Sequence, residues 1–165
     1  MTSRTWLTAG TLLLAGVVYL LMLKGWRSRQ RRQADVPAPP LPTGRGRVVV
    51  AGVSGLFVGT TDAADWLDRM AVHRLSDRAS GDLTVADDGV HIVRDELPEL
   101  FVPLGSIEDV TIETALAGKV VSSGMLVLTW RLGARTLASA FRADDPAAHP
   151  RLRDAITALL PVEAT

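Results

Sequence analysis

Apolar and polar positions follow three regimes along the chain. From Trp6 to Leu23 (WLTAGTLLLAGVVYLLML) eighteen residues pass without a charge. As a helix rising ~1.5 Å per residue they span ~27 Å, close to the ~30 Å of a bilayer's hydrocarbon core. Trp6 and Trp26 bracket the run and Tyr19 lies one turn inside it, which suits rings at the headgroup level. Lys24, Arg27, Arg29, Arg31 and Arg32 follow directly, with no small-x-small cleavage site between. That order predicts an uncleaved transmembrane helix over 6–23 after a short tail, 1–5, rather than a signal peptide. The positive-inside rule places the amino terminus outside and the rest in the cytoplasm. The same cations, with Trp6 and Trp26, form the expected membrane-interface set, and they can lie against anionic headgroups.

The second regime, 24–43, is basic and then proline-rich. Pro37, Pro39, Pro40 and Pro42 favour extended polyproline II, so the segment reads as a semi-rigid spacer.

The third regime, 44–161, changes period. Short apolar runs occur at Val48–Val53, Leu56–Thr60, Ala71–Leu75 and Leu83–Ala86, and each reads as a strand. Ser54-Gly55 separates the first two as a turn. Asp87-Asp88-Gly89 predicts a tight turn into Val90–Val93. Leu100–Leu104 and Ile107–Glu113 follow, and the second changes phase midway, which predicts a bulge. In Met125–Arg131, Leu126, Leu128 and Trp130 share one face, and Gly133 turns the chain into Arg135–Phe141. Ser122-Ser123-Gly124 reads as another hairpin turn. Leu152, Ile156, Leu159 and Leu160 form the stripe of a final helix, capped by Asp144 or Asp145 and stopped at Pro161. Asp62–Met70 fits one or two helical turns. The class is α+β: an antiparallel sandwich or barrel of about seven strands, closed by a C-terminal helix, with a tail at 162–165.

Charge sharpens this division. The 165 residues carry 18 basic and 18 acidic side chains, but residues 1–43 hold six basic and one acidic, and residues 44–165 hold 12 basic and 17 acidic. The zero total is thus +5 against −5. An acidic domain is repelled by an anionic leaflet within about 10 Å, which favours a protein partner over a lipid. No cysteine is present, so thiol catalysis, disulfides and thiolate metal sites are excluded.

The remaining chemistry is sparse. Gly118-Lys119 lacks the upstream glycine of a phosphate loop, because Glu113 stands there, and Gly52-x-x-Gly55 leads into a strand. His73, His91 and His149 lack ligand spacing and read as surface or strand residues. The acid pairs at 87–88, 95–96, 108–109 and 144–145 read as turns and caps. No enzyme, cofactor, metal or nucleic-acid partner is indicated. The candidate partner-binding residues are Trp66, Arg69, Lys119, Trp130 and Arg131. They are read as the rim of a groove at a sheet edge able to accept a peptide strand.

The segments GLFVGTT (55–61), DWLDRM (65–70), LFVPLGSIEDV (100–110), AGK (117–119), GMLVLTWRLG (124–133) and AFR (140–142) resemble a family of small actinobacterial single-pass membrane proteins with a cytoplasmic PH-like domain. The resemblance spans roughly 44–161. It implies a pleckstrin-homology-like barrel with a C-terminal helix, in proteins described generally as export, transport or membrane proteins. Phosphoinositide-binding relatives place cations in the loop joining the first two strands. That loop reads here as Val53-Ser54-Gly55, without a cation, so phosphoinositide recognition is not expected. The expected function is a membrane-anchored protein-interaction or scaffold module. The alternatives are a lipid-sensing module using the basic juxtamembrane segment, or an accessory subunit of a transporter or envelope assembly.

Overall fold

The computed structural model describes residues 2–33, 35–44, 46–116 and 119–161. Side-chain surroundings at 2–9, 26, 29–32, 114–116 and 119–123 lie outside that description. Two compact units emerge, Met1–Asp35 and Val36–Thr165.

The first unit is a helix, α1 (Thr2–Arg32). Between Leu12 and Met22 it is apolar on every side: Leu12, Leu13, Leu14, Val17, Val18, Tyr19, Leu20, Leu21 and Met22 are all exposed. The expected span starts at Trp6, whose side chain, like those to Ala9, is outside the described set. Among the described residues no helix is long and apolar enough to cross a membrane.

The second unit is one antiparallel sheet and one helix. The strands are β1 (Val48–Asp62), β2 (Ala79–Ala86), β3 (Gly89–Arg94), β4 (Leu100–Pro103), β5 (Ile107–Leu116), β6 (Lys119–Leu132) and β7 (Arg135–Ala143), followed by α2 (Ala148–Leu159). Their order across the sheet is β4-β3-β2-β1-β7-β6-β5, so β1 is central and β4 and β5 form the two edges. A single 3-10 turn, Leu104–Ser106, joins these edge strands.

β1 is one strand of 15 residues where two were expected. Ser54-Gly55 is not a turn. Gly55 is needed because a Cβ there would run into the Arg142 carbonyl of β7. The expected strand Ala71–Leu75 and helical turns over Asp62–Met70 are absent. Residues 63–78 form a long loop instead, built from short-range bonds. Asp62 Oδ1 accepts from Ala64 N at 2.9 Å and Asp65 Oδ1 from Leu67 N at 3.0 Å. Such Asx turns compete with helix formation. His73 and Arg74 take positive φ values of 53° and 56° there, which a strand would not allow. Ser122-Ser123-Gly124 lies within β6 rather than in a turn, and Gly124 (φ 68°) faces the β5 register shift between Glu113 and Ala115. The expected bulge early in β5 is present between Ile107 and Asp109.

The core is lined by inward residues of the strands, among them Phe57, Leu83, Ile92, Leu100, Leu126, Leu128, Trp130, Leu137 and Phe141. The apolar face of α2, with Leu152 and Ile156 fully buried, packs on β5, β6 and β1. The helix starts later than expected. Ala147 is its N-cap, while Asp145 caps the preceding turn by accepting from Ala147 N at 3.0 Å.

Candidate functional site

The proline segment is part of the domain, not a free spacer. Val36 is only 3 % exposed and belongs to the core cluster. Its carbonyl accepts a hydrogen bond from His73 Nε2 at 2.8 Å. The Pro37 ring lies beside Gly133 of the β6–β7 turn, where a Cβ would come within 3.0 Å of it. At the far end Asp87 and Asp88, in the β2–β3 turn, take over. Asp88 Oδ2 accepts from Gly46 N at 3.0 Å, and Asp87 Oδ1 accepts from Arg47 N at 2.8 Å. A Cβ at Gly46 would collide with these carboxylates. The β1–β2 loop and the β2–β3 turn lie at opposite ends of β2, so the described residues 36–44 and 46–47 form a strap running from one end of the sheet to the other. Ten residues of polyproline II reach ~31 Å, enough for that run. Mid-strap Leu41 is 77 % exposed, so the strap is fastened at its ends.

Beside the first fastening, the β1–β2 loop meets the β3–β4 connection around a buried arginine. Arg94 donates to the Pro98 carbonyl from Nε (3.0 Å) and Nη2 (2.7 Å), and to the Arg74 carbonyl from Nη1 (3.0 Å). Its guanidinium lies 5.0 Å from the Phe57 ring centroid. Burial pulls its pKa down, the nearby Asp77 carboxylate opposes this, and the guanidinium keeps its charge. An open cleft of about 590 Å³ adjoins it, lined by Arg74, Asp77, Arg78, Ala79, Ser80, Asp95, Glu96 and Leu97. The loop joining the first two strands is therefore 63–78, which contains Arg69, Arg74 and Arg78, and not Val53-Ser54-Gly55. These cations are largely engaged. Arg69 Nη2 donates to the Val58 and Ser76 carbonyls, each at 2.9 Å, and Arg74 Nε bonds Asp77 Oδ2 at 2.8 Å. With Asp77, Asp95 and Glu96 on its walls, the cleft presents more acid than base.

The five candidate rim residues separate. Trp130 is fully buried, which removes it from any rim. Its Nε1 donates to Ser139 Oγ at 2.9 Å, and Ser139 Oγ lies 2.7 Å from Thr60 Oγ1, a satisfied polar chain inside the core. Arg131 is on the outer face and bonds Glu108 Oε1 of β5 through Nε at 2.9 Å. Together they line a cleft of about 300 Å³ with Gly105, Ser106 and Gly133. Arg69 pins its loop to β1 and does not share a helical face with Trp66, because there is no helix. Trp66 is 45 % exposed beside exposed Leu67. The Lys119 side chain is outside the described set. Of the membrane-interface set, Lys24 and Arg27 are exposed on α1, while the side chains of Trp6, Trp26, Arg29, Arg31 and Arg32 are outside it.

Two histidines are buried: His91 is a strand residue of β3, within the expectation, whereas His149 lies inside α2 instead of at the surface or on a strand. His149 Nε2 accepts from Ala143 N at 3.0 Å, which tethers α2 to the end of β7. Burial pushes its pKa below the ordinary 6.5, against the opposing effects of the Pro146 carbonyl and Asp145. His91 stands between two carboxylates, with Nδ1 2.9 Å from Glu99 Oε1 and Nε2 3.1 Å from Asp88 Oδ1. Burial would raise the Asp88 carboxyl; the bonds from His91 and from Gly46 outweigh it and hold Asp88 below the usual range. An Asp three residues before a His across a tight turn was the available signal. It was obscured because β3 is buried on both faces, so alternation says nothing about where His91 points. Among the described residues, no three His, Asp or Glu side chains gather as metal ligands.

A seven-stranded antiparallel sheet with β1 at its centre and a closing C-terminal helix matches a family model described as bacterial PH domain-like, over residues 34–157. The chain belongs to this bacterial PH domain-like family. The match begins upstream of β1 and so includes the strap. No curated protein matches the chain. Among solved structures, a chain of one titled "The 8S snRNP Assembly Intermediate" is similar at 13 % identity and a TM-score of 0.48, covering 78 % of this chain and 94 % of that one.

Proposed function

We propose that this PH-like protein is a non-enzymatic, membrane-anchored interaction module whose domain takes an extended partner segment along the free edge of β5. The observation that carries the reading is that edge. β5 runs ten residues and ends the sheet, and among the described residues it pairs with β6 alone. Such an edge is a template for strand addition. α2 packs across the core side of β5, and half-buried Ile112, Leu159 and Leu160 leave apolar surface on these two elements.

Anchoring is supported by α1. A helix apolar on all sides belongs in a core or a membrane, and the domain has its own complete core. Exposed Lys24 and Arg27 after the apolar run favour a cytoplasmic domain by the positive-inside rule. The lipid-sensing reading is disfavoured by the cleft at the β1–β2 loop, where two arginines face three carboxylates.

The test places a photo-crosslinking residue at Thr111 on β5, and separately at Arg142 on the exposed face of β7, in membranes from cells expressing the full chain. The reading expects a discrete crosslinked protein from position 111 and none from 142. Equal or absent products at both sites would overturn it. Alkaline carbonate extraction checks the anchor separately: release of the chain into the supernatant would remove that part.

A further inference from the structure

The strap's second fastening has a titratable group behind it. Asp88 uses one carboxylate oxygen, Oδ2, to hold Gly46 N at 3.0 Å, and the other, Oδ1, faces His91 Nε2 at 3.1 Å. The opposite ring nitrogen, Nδ1, faces Glu99 Oε1 at 2.9 Å. The ring is buried and tilted against Phe101 of β4, with centroids 4.6 Å apart. The charged groups facing it are Asp88 from the β2–β3 turn and Glu99 from the β3–β4 connection. Behind Asp88 lies Asp87, paired at 3.7 Å with Arg47 Nε.

Both carboxylates are acceptors, so both bonds need a donor on each ring nitrogen. Only the doubly protonated imidazole provides that. A neutral ring keeps one N–H, and the shorter contact, to Glu99, is the one it retains. The lone pair on Nε2 then faces Asp88 Oδ1, and the short aspartate side chain turns away, taking its grip on Gly46 with it.

We propose that His91 is a proton-operated latch for the strap: the doubly protonated ring holds Asp88 where it grips Gly46, and loss of one proton loosens that grip.

The experiment is amide hydrogen exchange by NMR on the ¹⁵N-labelled full chain in detergent micelles, from pH 5.5 to 8.5, corrected for intrinsic exchange. The protection of Gly46 is expected to fall about tenfold as pH rises, with the midpoint of the His91 ring C–H resonances. Arg47 N, held by Asp87, should change less. In His91→Gln the pH dependence of Gly46 should vanish. A flat Gly46 profile in the wild type, a midpoint that departs from that of His91, or a pH dependence surviving in His91→Gln would overturn the proposal. Should His91→Gln fail to fold, the wild-type comparison of the two midpoints decides alone.

Discussion

Val36→Ala separates a strap from a spacer. In a spacer this residue would be solvated, and its truncation would be silent. Here it is buried in the core cluster, between the His73 loop and the β6–β7 turn. The change removes two buried carbons, worth ~0.8 kcal/mol each by transfer. The space left behind adds to this, because packed surroundings relax only in part. The expected loss is about 2 kcal/mol. For a domain of this size, with ~4 °C per kcal/mol, the melting midpoint should fall by about 8 °C. Near-UV circular dichroism of the full chain in detergent is a suitable assay, since buried Trp130 reports on the core and Trp6, Tyr19 and Trp26 of α1 add a background common to all the variants. The matched control is Leu41→Ala, a larger truncation in the same segment at an exposed position, expected to fall within about 0.5 kcal/mol of wild type. If Val36→Ala melts together with Leu41→Ala, the strap is not fastened at this end and the reasoning fails.

Ser139→Ala leaves Trp130 Nε1 and Thr60 Oγ1 without their shared partner, which should cost about 2 kcal/mol in urea denaturation. His149 gives a pH signature. Its folded pKa is lowered, so the unfolded chain takes up the proton first as pH falls; its contribution is complete above about pH 6.5 and declines through the interval below, levelling off under the folded value. Denaturation midpoints measured from pH 8 to 4.5 should show this decline, and His149→Gln should remove it; parallel curves for the two proteins would refute the assignment.

How much the sequence disclosed depends on which physical signal each element leaves. β6 and β7 were legible because one face is uniformly apolar, as in Leu126, Leu128 and Trp130, and because Gly133 marks the turn. The stripe of α2 was legible for the same reason. The β1–β2 loop was not. Trp66, Leu67 and Met70 mimic helical spacing, yet Met70 and Leu75 reach the core from turns, where no period operates. Glycine misled twice. Gly55 and Gly124 resemble turn residues, but the first makes room for a neighbouring strand and the second sits in a bulge. With Gly55 in a turn the loop joining the first two strands falls at 53–55, away from Arg69, Arg74 and Arg78 in the real β1–β2 loop. The two ends of the strap were illegible for a different reason. Four prolines announce an extended chain, but extension is compatible with a spacer and with a strap, and only the burial of Val36 tells them apart. Arg131 was found as an exposed cation but not its partner, since Glu108 lies on the neighbouring strand, 23 positions away.

The place of β1 in the sheet also has a consequence for the order of events during synthesis. β1 is the first strand made, and its neighbours are β2 and β7, the latter joined through pairs such as Gly55 with Ala143. Its second flank stays open until β7 has left the ribosome, and α2 emerges later still. Pairings this distant in sequence are slow to form. The growing chain therefore displays an unfinished central strand until β7 emerges, while α1 has long been free to find its own environment. Truncation within or before β7 would leave that flank permanently unpaired.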